Sequence, residues 1–142
     1  MYRLPEDAVL TEQMIVKYIE KDISQKARKE KLFNYYLGKH DILKRAMKDI
    51  SKPNNKIINP FPHYITDTIT GYFVGEPITY KCADEDLLSR FTQVFNYNDE
   101  AGENTELAKD ASICGVAFEL LYIDADGEIR FKHIEPTQAI PI

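Results

Sequence analysis

The sequence predicts an α+β fold in which several amphipathic helices pack on a small antiparallel sheet. Three observations carry that expectation. Apolar residues recur at helical spacing in separate stretches, polar caps and glycines bracket them, and two strand-like segments flank an Asp-Gly turn near the carboxyl end. A chain of 142 residues is one domain's worth, long enough to bury a core. With 44% hydrophobic and 29% charged residues, the composition indicates neither disorder nor a membrane span, and no apolar run approaches spanning length.

The first helix opens at Thr11, a suitable N-cap, with Glu12 in the first turn favouring the helix dipole. Met14, Ile15, Tyr18, Ile19 and Ile23 give it an apolar face. The stripe then fades and resumes at Leu32, Phe33, Tyr36 and Leu37, which predicts a break or bend near Ser24. Gly38 is expected as a left-handed C-cap, with a short helical segment after it over residues 42–50. Lys52, Pro53, Asn54, Asn55 and Lys56 form a turn, because Pro fixes φ and Asn tolerates the left-handed region. Ile57 and Ile58 then cross toward the core. Asn59 before Pro60 reads as an N-cap with proline at the first helical position. In the helix that follows, Tyr64, Ile65, Thr68, Ile69, Tyr72 and Phe73 form a stripe expected to be buried, ending at Gly75.

Gly75, Glu76 and Pro77 turn the chain into an expected strand over residues 78–82. Asp84 caps the next helix, where Leu87, Leu88, Phe91, Val94 and Phe95 share a face. A polar break is expected over residues 96–104, then a shorter helix over 105–114 stopped by Gly115. Residues 116–123 and 128–134 form a hairpin. A three-residue loop with Gly127 left-handed sets Ile123 opposite Ile129 and Leu121 opposite Phe131, whereas a two-residue turn would oppose Ile123 to Arg130. Matching apolar faces selects the longer loop. The helix ending at Phe95 is expected to cover one face of this hairpin. Residues 139–142 read as an apolar strand after the Glu135-Pro136-Thr137 turn, with no partner segment following, so the chain reads as incomplete at its carboxyl end.

Charge divides unevenly. Residues 1–56 hold 13 Lys+Arg against 8 Asp+Glu and residues 57–142 hold 5 against 15, nets of +5 and −10. A basic first third admits nucleic-acid binding through Lys26, Arg28, Lys29 and Lys31. These cations interleave with Glu30 as on a solvated helix face, and opposite-sign halves suit contacts within a chain or between subunits. Cys82 and Cys114 lack a CxxC pattern and are expected as buried reduced thiols. Asp124, Asp126 and Gly127 imitate the start of a calcium loop, but Ile129 occupies the sixth position, where Gly is needed, and Glu135 at the twelfth follows a strand. His40 beside Asp41, His63, and His133 opposite Glu119 are the groups able to move a proton. No nucleophile elbow, P-loop, HExxH or dinucleotide fingerprint accompanies them, so the sequence assigns no catalytic, metal or cofactor residue. The amino terminus lacks the apolar core of a secretory signal, which points to cytoplasmic synthesis.

Residues 34–80, NYYLGKHDILKRAMKDISKPNNKIINPFPHYITDTITGYFVGEPITY, place an aromatic helix end, an Asn-rich turn and an apolar helix closed by GYFVGEP in fixed order. Together with GVAFELLYIDADGEIRFKHIEP over residues 115–136, this stretch resembles the amino-terminal region of portal proteins, the head-to-tail connectors of tailed bacteriophages with long non-contractile tails. Tyr35, Tyr36, Gly38 and His40 carry the first part of the likeness, Pro53, Asn54, Asn55 and Lys56 the second, and Gly71, Tyr72, Phe73, Gly75 and Pro77 the third. One departure is local. The family runs an unbroken helix after the Asn-rich turn, whereas Pro60 and Pro62 would each cost a helix interior about 3 kcal/mol, so the helix here is expected to start at Pro60.

The resemblance implies a structural subunit of a portal ring at one capsid vertex, through which double-stranded DNA is packaged and ejected. It implies other portal subunits, terminase, tail adaptors and capsid as partners, with no cofactor, catalysis or membrane, and a location in the virion after synthesis in the bacterial host cytoplasm. The matched region corresponds to the wing part and not the channel-lining part. The chain thus reads as a single wing-like fragment, 1–142, with a helical arm over 1–38 and an α+β core over 39–142. Alone, it is expected to be monomeric or weakly self-associating, with exposed apolar surface near residues 139–142. The alternative from another class is a small cytoplasmic nucleic-acid-binding regulator that uses the basic first third.

Overall fold

The computed structural model of the chain describes residues 4, 9–47, 49 and 51–141. Among them, four α-helices precede a two-stranded antiparallel sheet: α1 Glu12–Tyr36, α2 Phe61–Val74, α3 Glu85–Tyr97, α4 Glu100–Cys114, β1 Phe118–Ile123 and β2 Ile129–Ile134. The α+β class is the one the sequence predicts.

Thr11 caps α1 as expected, its Oγ1 accepting from the Met14 N–H at 3.4 Å. The helix then runs 25 residues without interruption, so the break expected near Ser24 does not occur. Residues 12–36 contain neither Gly nor Pro, and nothing in that span opposes the helix. The fading stripe instead marks where Asp22 and Lys29 turn inward. Gly38 closes the helix at φ 74°. Its N–H and that of Lys39 bond back to the Tyr35 and Asn34 carbonyls at 3.2 and 2.7 Å, a Schellman closure. Of the helical segment expected over 42–50, one tight turn forms at Asp41–Lys44, after which Arg45 turns extended. Lys48 and Ile50 lie outside the described residues.

Helix α2 starts one residue later than predicted, with Pro60 as the N-cap residue at φ −79° and ψ 44°. Pro62 sits in the first turn, where its missing N–H costs nothing. Asp84 caps α3 through its Oδ1, which accepts from the Leu87 N–H at 3.0 Å. The polar break expected over 96–104 shrinks to Asn98 and Asp99. Asp99 takes a left-handed φ of 51° and reverses the chain at once. Glu100 and Glu103 then fall in the first turn of α4, where carboxylates suit the dipole, so α4 starts at Glu100 and not at Thr105. Gly115, at φ 74°, stops it as predicted.

The hairpin forms in the predicted register, with Leu121 opposite Phe131 and Ile123 opposite Ile129. The Asp124 N–H bonds to the Glu128 carbonyl at 3.0 Å around the loop, where Gly127 is left-handed at φ 83°. Phe95 of α3 meets Phe131 edge-on at 6.4 Å, but it is α4 that packs on β2, so the cover expected from α3 is slight. Two expected strands are absent. Among the described residues, 78–82 have no ladder partner. Residues 139–141 instead lie along α1, half-buried and not openly exposed, where the Lys29 Nζ donates to the Ala139 carbonyl at 3.5 Å. Ile142 lies outside the described residues.

Helix α4 is the hub on which α2 packs, with α1 touching both. The interior between them is largely polar. Among the described residues, the buried side chains are Asp22, Lys29, Thr66, Thr70 and Asp110, with Cys114 and Pro136.

Candidate functional site

The apolar stripe of α2 faces outward. Ile65 and Ile69 are 52% and 53% exposed, Phe73 78% and Tyr72 91%, so the expected burial of this face is reversed. Thr66 and Thr70 turn inward in their place. The physical reason lies on α4. The Ser112 Oγ of α4 donates to the Thr66 Oγ1 at 3.5 Å across this interface. A polar surface takes the polar side of α2 and leaves the apolar side uncovered. Contiguous apolar surface of this kind marks an interaction face.

The inner side carries unusual electrostatics. Asp110 is 4% exposed, and its Oδ2 and the Thr70 Oγ1 have no hydrogen-bond partner. Burial pushes the Asp110 carboxyl up to about 6, opposed by the nearby His133 and reinforced by Glu106 and Glu135. Burial likewise pushes the Cys114 thiol up to about 11. Lys29 is buried 4.0 Å from Asp22 and lies 5.6 Å from the Phe118 ring, so the basic run is not a solvated face throughout. Lys31 pairs with Asp41 at 2.8 Å, and that hydrogen bond draws the Asp41 carboxyl below its ordinary range. Lys26 and Arg28 remain exposed.

The residues that carry the resemblance gather in two places. Tyr35 stacks on His40 at 4.8 Å and donates its hydroxyl to Asp41 at 3.1 Å, while the His40 Nε2 lies 3.0 Å from the Tyr35 carbonyl. Arg45 clasps the Asn-rich turn: its Nε donates to the Asn54 Oδ1 at 3.1 Å and its Nη2 to the Asn55 carbonyl at 3.5 Å, and the Asn54 Nδ2 returns a bond to the Arg45 carbonyl at 3.2 Å. Lys56 closes the same loop on the Leu43 carbonyl at 2.7 Å, and Pro53 is exposed at its tip. A Cβ at Gly38 would stand 4.0 Å from Ile58, so it is the positive φ and not crowding that calls for glycine. Tyr36 ties α1 to α2. Its ring stacks on His63 at 4.6 Å and its hydroxyl donates to Asp67 at 2.9 Å, and burial together with that bond pushes the phenol up to about 12. The second group, Gly71, Tyr72, Phe73, Gly75 and Pro77, lies at the exposed end of α2. Gly75 is required there, since a Cβ would fall 2.2 Å from the Gly71 carbonyl oxygen. Arg45 was not among the sequence's candidates. It lies inside YYLGKHDILKR, but a single cation next to polar residues gives no sign of which turn it will clasp.

The titratable groups are occupied structurally. The His63 Nε2 lies 3.0 Å from Asp67. Glu119 is opposite His133 in the ladder, yet His133 turns to α4, and both its N–H and its Nδ1 contact the Glu103 Oε2, at 2.6 and 3.1 Å. The Asp124 Oδ1 accepts from the Asp126 and Glu128 N–H groups at 3.0 Å each and its Oδ2 pairs with Arg130 at 3.0 Å, which holds the turn and leaves the carboxylate committed. Cys82 is exposed, contrary to expectation, because the segment that carries it joins no sheet; Cys114 is buried. Among the described residues, no group of three His, Cys, Asp or Glu is disposed to hold a metal ion. No helix among the described residues is long and apolar enough to cross a membrane. The arrangement offers an interaction surface whose most developed part is the outer face of α2.

No curated protein matches the chain. A family model described as phage portal protein, SPP1 Gp6-like, matches residues 15–142.

Proposed function

Since this chain belongs to the phage portal protein family, SPP1 Gp6-like, we propose that it is the wing part of a portal ring subunit, packing against its neighbours and not lining the channel. The family's role is structural, in ring oligomers associated with capsid and DNA. The observation that carries the finer reading is the uncovered apolar face of α2, with Tyr72 91% exposed. Such a face is built to be covered in an assembly. On this reading the motif residues Tyr36, Gly75 and Pro77 shape that face and Tyr72 and Phe73 contact the neighbour. The chain is made in the host cytoplasm, enters the capsid vertex with its ring, and serves DNA packaging and ejection beside terminase and tail adaptors. The isolated chain is monomeric or weakly associating, because its opposite-sign surfaces guide register and add little affinity at physiological salt.

The test is to replace Ile65, Ile69 and Phe73 together with Lys in the phage or prophage that encodes the chain. Particles should lack both this protein and packaged DNA, while the purified variant keeps the helical circular dichroism of the parent. Normal particle yield would overturn the reading. Binding of nucleic acid through the basic third is disfavoured by the burial of Lys29 and the pairing of Lys31.

A further inference from the structure

The two edges of the hairpin differ. On β2 three of the six outward-pointing backbone groups of Ile129, Phe131 and His133 are taken: the Asn98 Nδ2 donates to the Ile129 carbonyl at 2.9 Å, the Phe131 N–H donates to the Asn98 Oδ1 at 3.4 Å, and the His133 N–H donates to Glu103 at 2.6 Å. Antiparallel alternation then requires that the residues opposite them, Glu119, Leu121 and Ile123, turn their own N–H and C=O groups to the outer edge of β1. Those groups have no hydrogen-bond partner among the described residues. Strand β1 is also open on both faces, with Leu120 50% and Leu121 65% exposed. An edge of this kind is a template for another strand.

The same chain carries a complementary element. Residues 78–82, Ile-Thr-Tyr-Lys-Cys, have the composition of a strand and no ladder. Their own subunit holds them away from β1. Tyr80 packs tilted against the Phe95 ring at 4.7 Å and donates to Glu100 at 2.6 Å, and Phe95 in turn meets Phe131 of β2. The segment therefore stands on the β2 flank of the hairpin, beyond α3, and the open edge is on the opposite flank.

We propose that residues 78–82 of one copy add as a third, antiparallel strand to the β1 edge of the next copy in the ring. The inference rests on the ring-subunit reading above and deepens it. Charge and face together select the register. Glu119 is the only charge on β1 and Lys81 the only charge on the segment. Setting them opposite each other places Tyr80 against Leu120 and Ile78 against Tyr122, so apolar side chains share one face. A one-residue slip would move Lys81 onto that face. Thr79 and Lys81 then exchange roughly four backbone hydrogen bonds with Leu121 and Glu119, and Pro77, which has no N–H, ends the ladder. Because donor and acceptor lie on opposite flanks, the contact is heterologous, the kind that closes rings.

Disulfide trapping in a Cys82→Ser background tests the pairing, using Thr79→Cys in one copy and Leu121→Cys in another, mixed and mildly oxidised. The cross-link should form about tenfold more readily than with Leu120→Cys, whose position faces Tyr80 in the register. A single chain bearing both cysteines should give a ladder of multimers. Adding Lys81→Pro, which removes an N–H unused among the described residues, should abolish the cross-link while leaving circular dichroism unchanged. No enrichment over the Leu120→Cys control in a chain that light scattering shows to be oligomeric overturns the strand addition and leaves the ring-subunit reading standing. Closed two-membered species in place of the ladder would keep the pairing and overturn the ring. A chain that neither cross-links nor associates would overturn the strand addition and, since a lone fragment is expected to be monomeric or weakly associating, would leave the ring-subunit reading standing.

Discussion

The two faces of α2 invert the usual arrangement of a surface helix. Its inner face sets Thr66 and Thr70 against a helix that carries the buried Asp110 and Cys114, and its outer face exposes Ile65, Ile69, Tyr72 and Phe73. Burying those four outer side chains would be worth roughly 1.5–3 kcal/mol each, and the lone chain does not gain it. The inner face instead buries the Thr70 Oγ1, which has no partner among the described residues and so costs free energy. The difference teaches where the chain's unrealised stability lies. Its interior is under-satisfied and its exterior over-supplied, so covering the outer face, and not refining the interior, is what would make the fold robust.

The largest effect follows from reversing the outer face. Ile65→Lys, Ile69→Lys and Phe73→Lys together should abolish self-association seen by light scattering at any concentration where the parent associates. Each exposed substitution should change the monomer's unfolding free energy by no more than about 0.5 kcal/mol. Destabilisation by several kcal/mol in urea would mean that the outer face is already covered within the chain and would erase the contrast.

The next effect compares the inside of the basic run with its outside. Lys29→Gln leaves Asp22 buried without a cation and removes the bond to the Ala139 carbonyl, and should cost about 3 kcal/mol. Lys26→Gln, three residues earlier on exposed surface, should cost less than about 0.5 kcal/mol. Equal costs would show that Lys29 does not anchor the interior.

These residues also mark how far the sequence could be read. Thr11, Asp84 and Gly115 were legible because a cap is decided by chemistry within a few residues of itself. The hairpin register was legible because a slip exchanges its faces. The orientation of α2 was not: periodicity shows that a stripe exists and says nothing about which neighbour turns toward it. The burial of Lys29 was hidden for the same reason, since interleaved Lys and Glu look alike whether the helix is solvated or covered. Residues 78–82 read as a strand from composition, but pairing is non-local, and among the described residues none pairs with them. At the candidate site, the motif residues were named from the sequence, whereas the clasp of Arg45 on Asn54 and the tie from Tyr36 to Asp67 emerge only when the turns are folded together.

Asp110 sharpens the comparison through pH. Its carboxyl is raised from 3.8 to about 6, so the folded chain retains a proton that the unfolded chain has released between those values. The stability this contributes is full below about pH 4 and is lost as pH rises through 6, a change of at most about 3 kcal/mol. Asp110→Asn removes the titration. The urea midpoint of the variant should stay flat between pH 4 and 7.5, apart from groups shared with the parent, and should exceed the parent's at pH 7.5. Identical pH profiles for the two proteins would place the charge of Asp110 in water.

The smallest effect isolates the cost of one unpartnered atom on the inner face. Thr70 is 8% exposed and its Oγ1 is without a partner, so its hydroxyl has been taken from water with nothing gained in return. Thr70→Val keeps the shape and the β-branch, and the two residues have similar helix propensities, so backbone terms cancel. What remains is removal of a buried polar group, which should raise stability by about 1 kcal/mol. The same exchange at Thr68, an exposed residue of the same helix whose Oγ1 donates to the Tyr64 carbonyl at 2.7 Å, gives up a made bond and should gain nothing. Urea unfolding of the two variants side by side therefore separates the faces. No gain at Thr70 beyond that at Thr68 would show that its hydroxyl is bonded after all, and the inner face would then lose the defect that sets it apart.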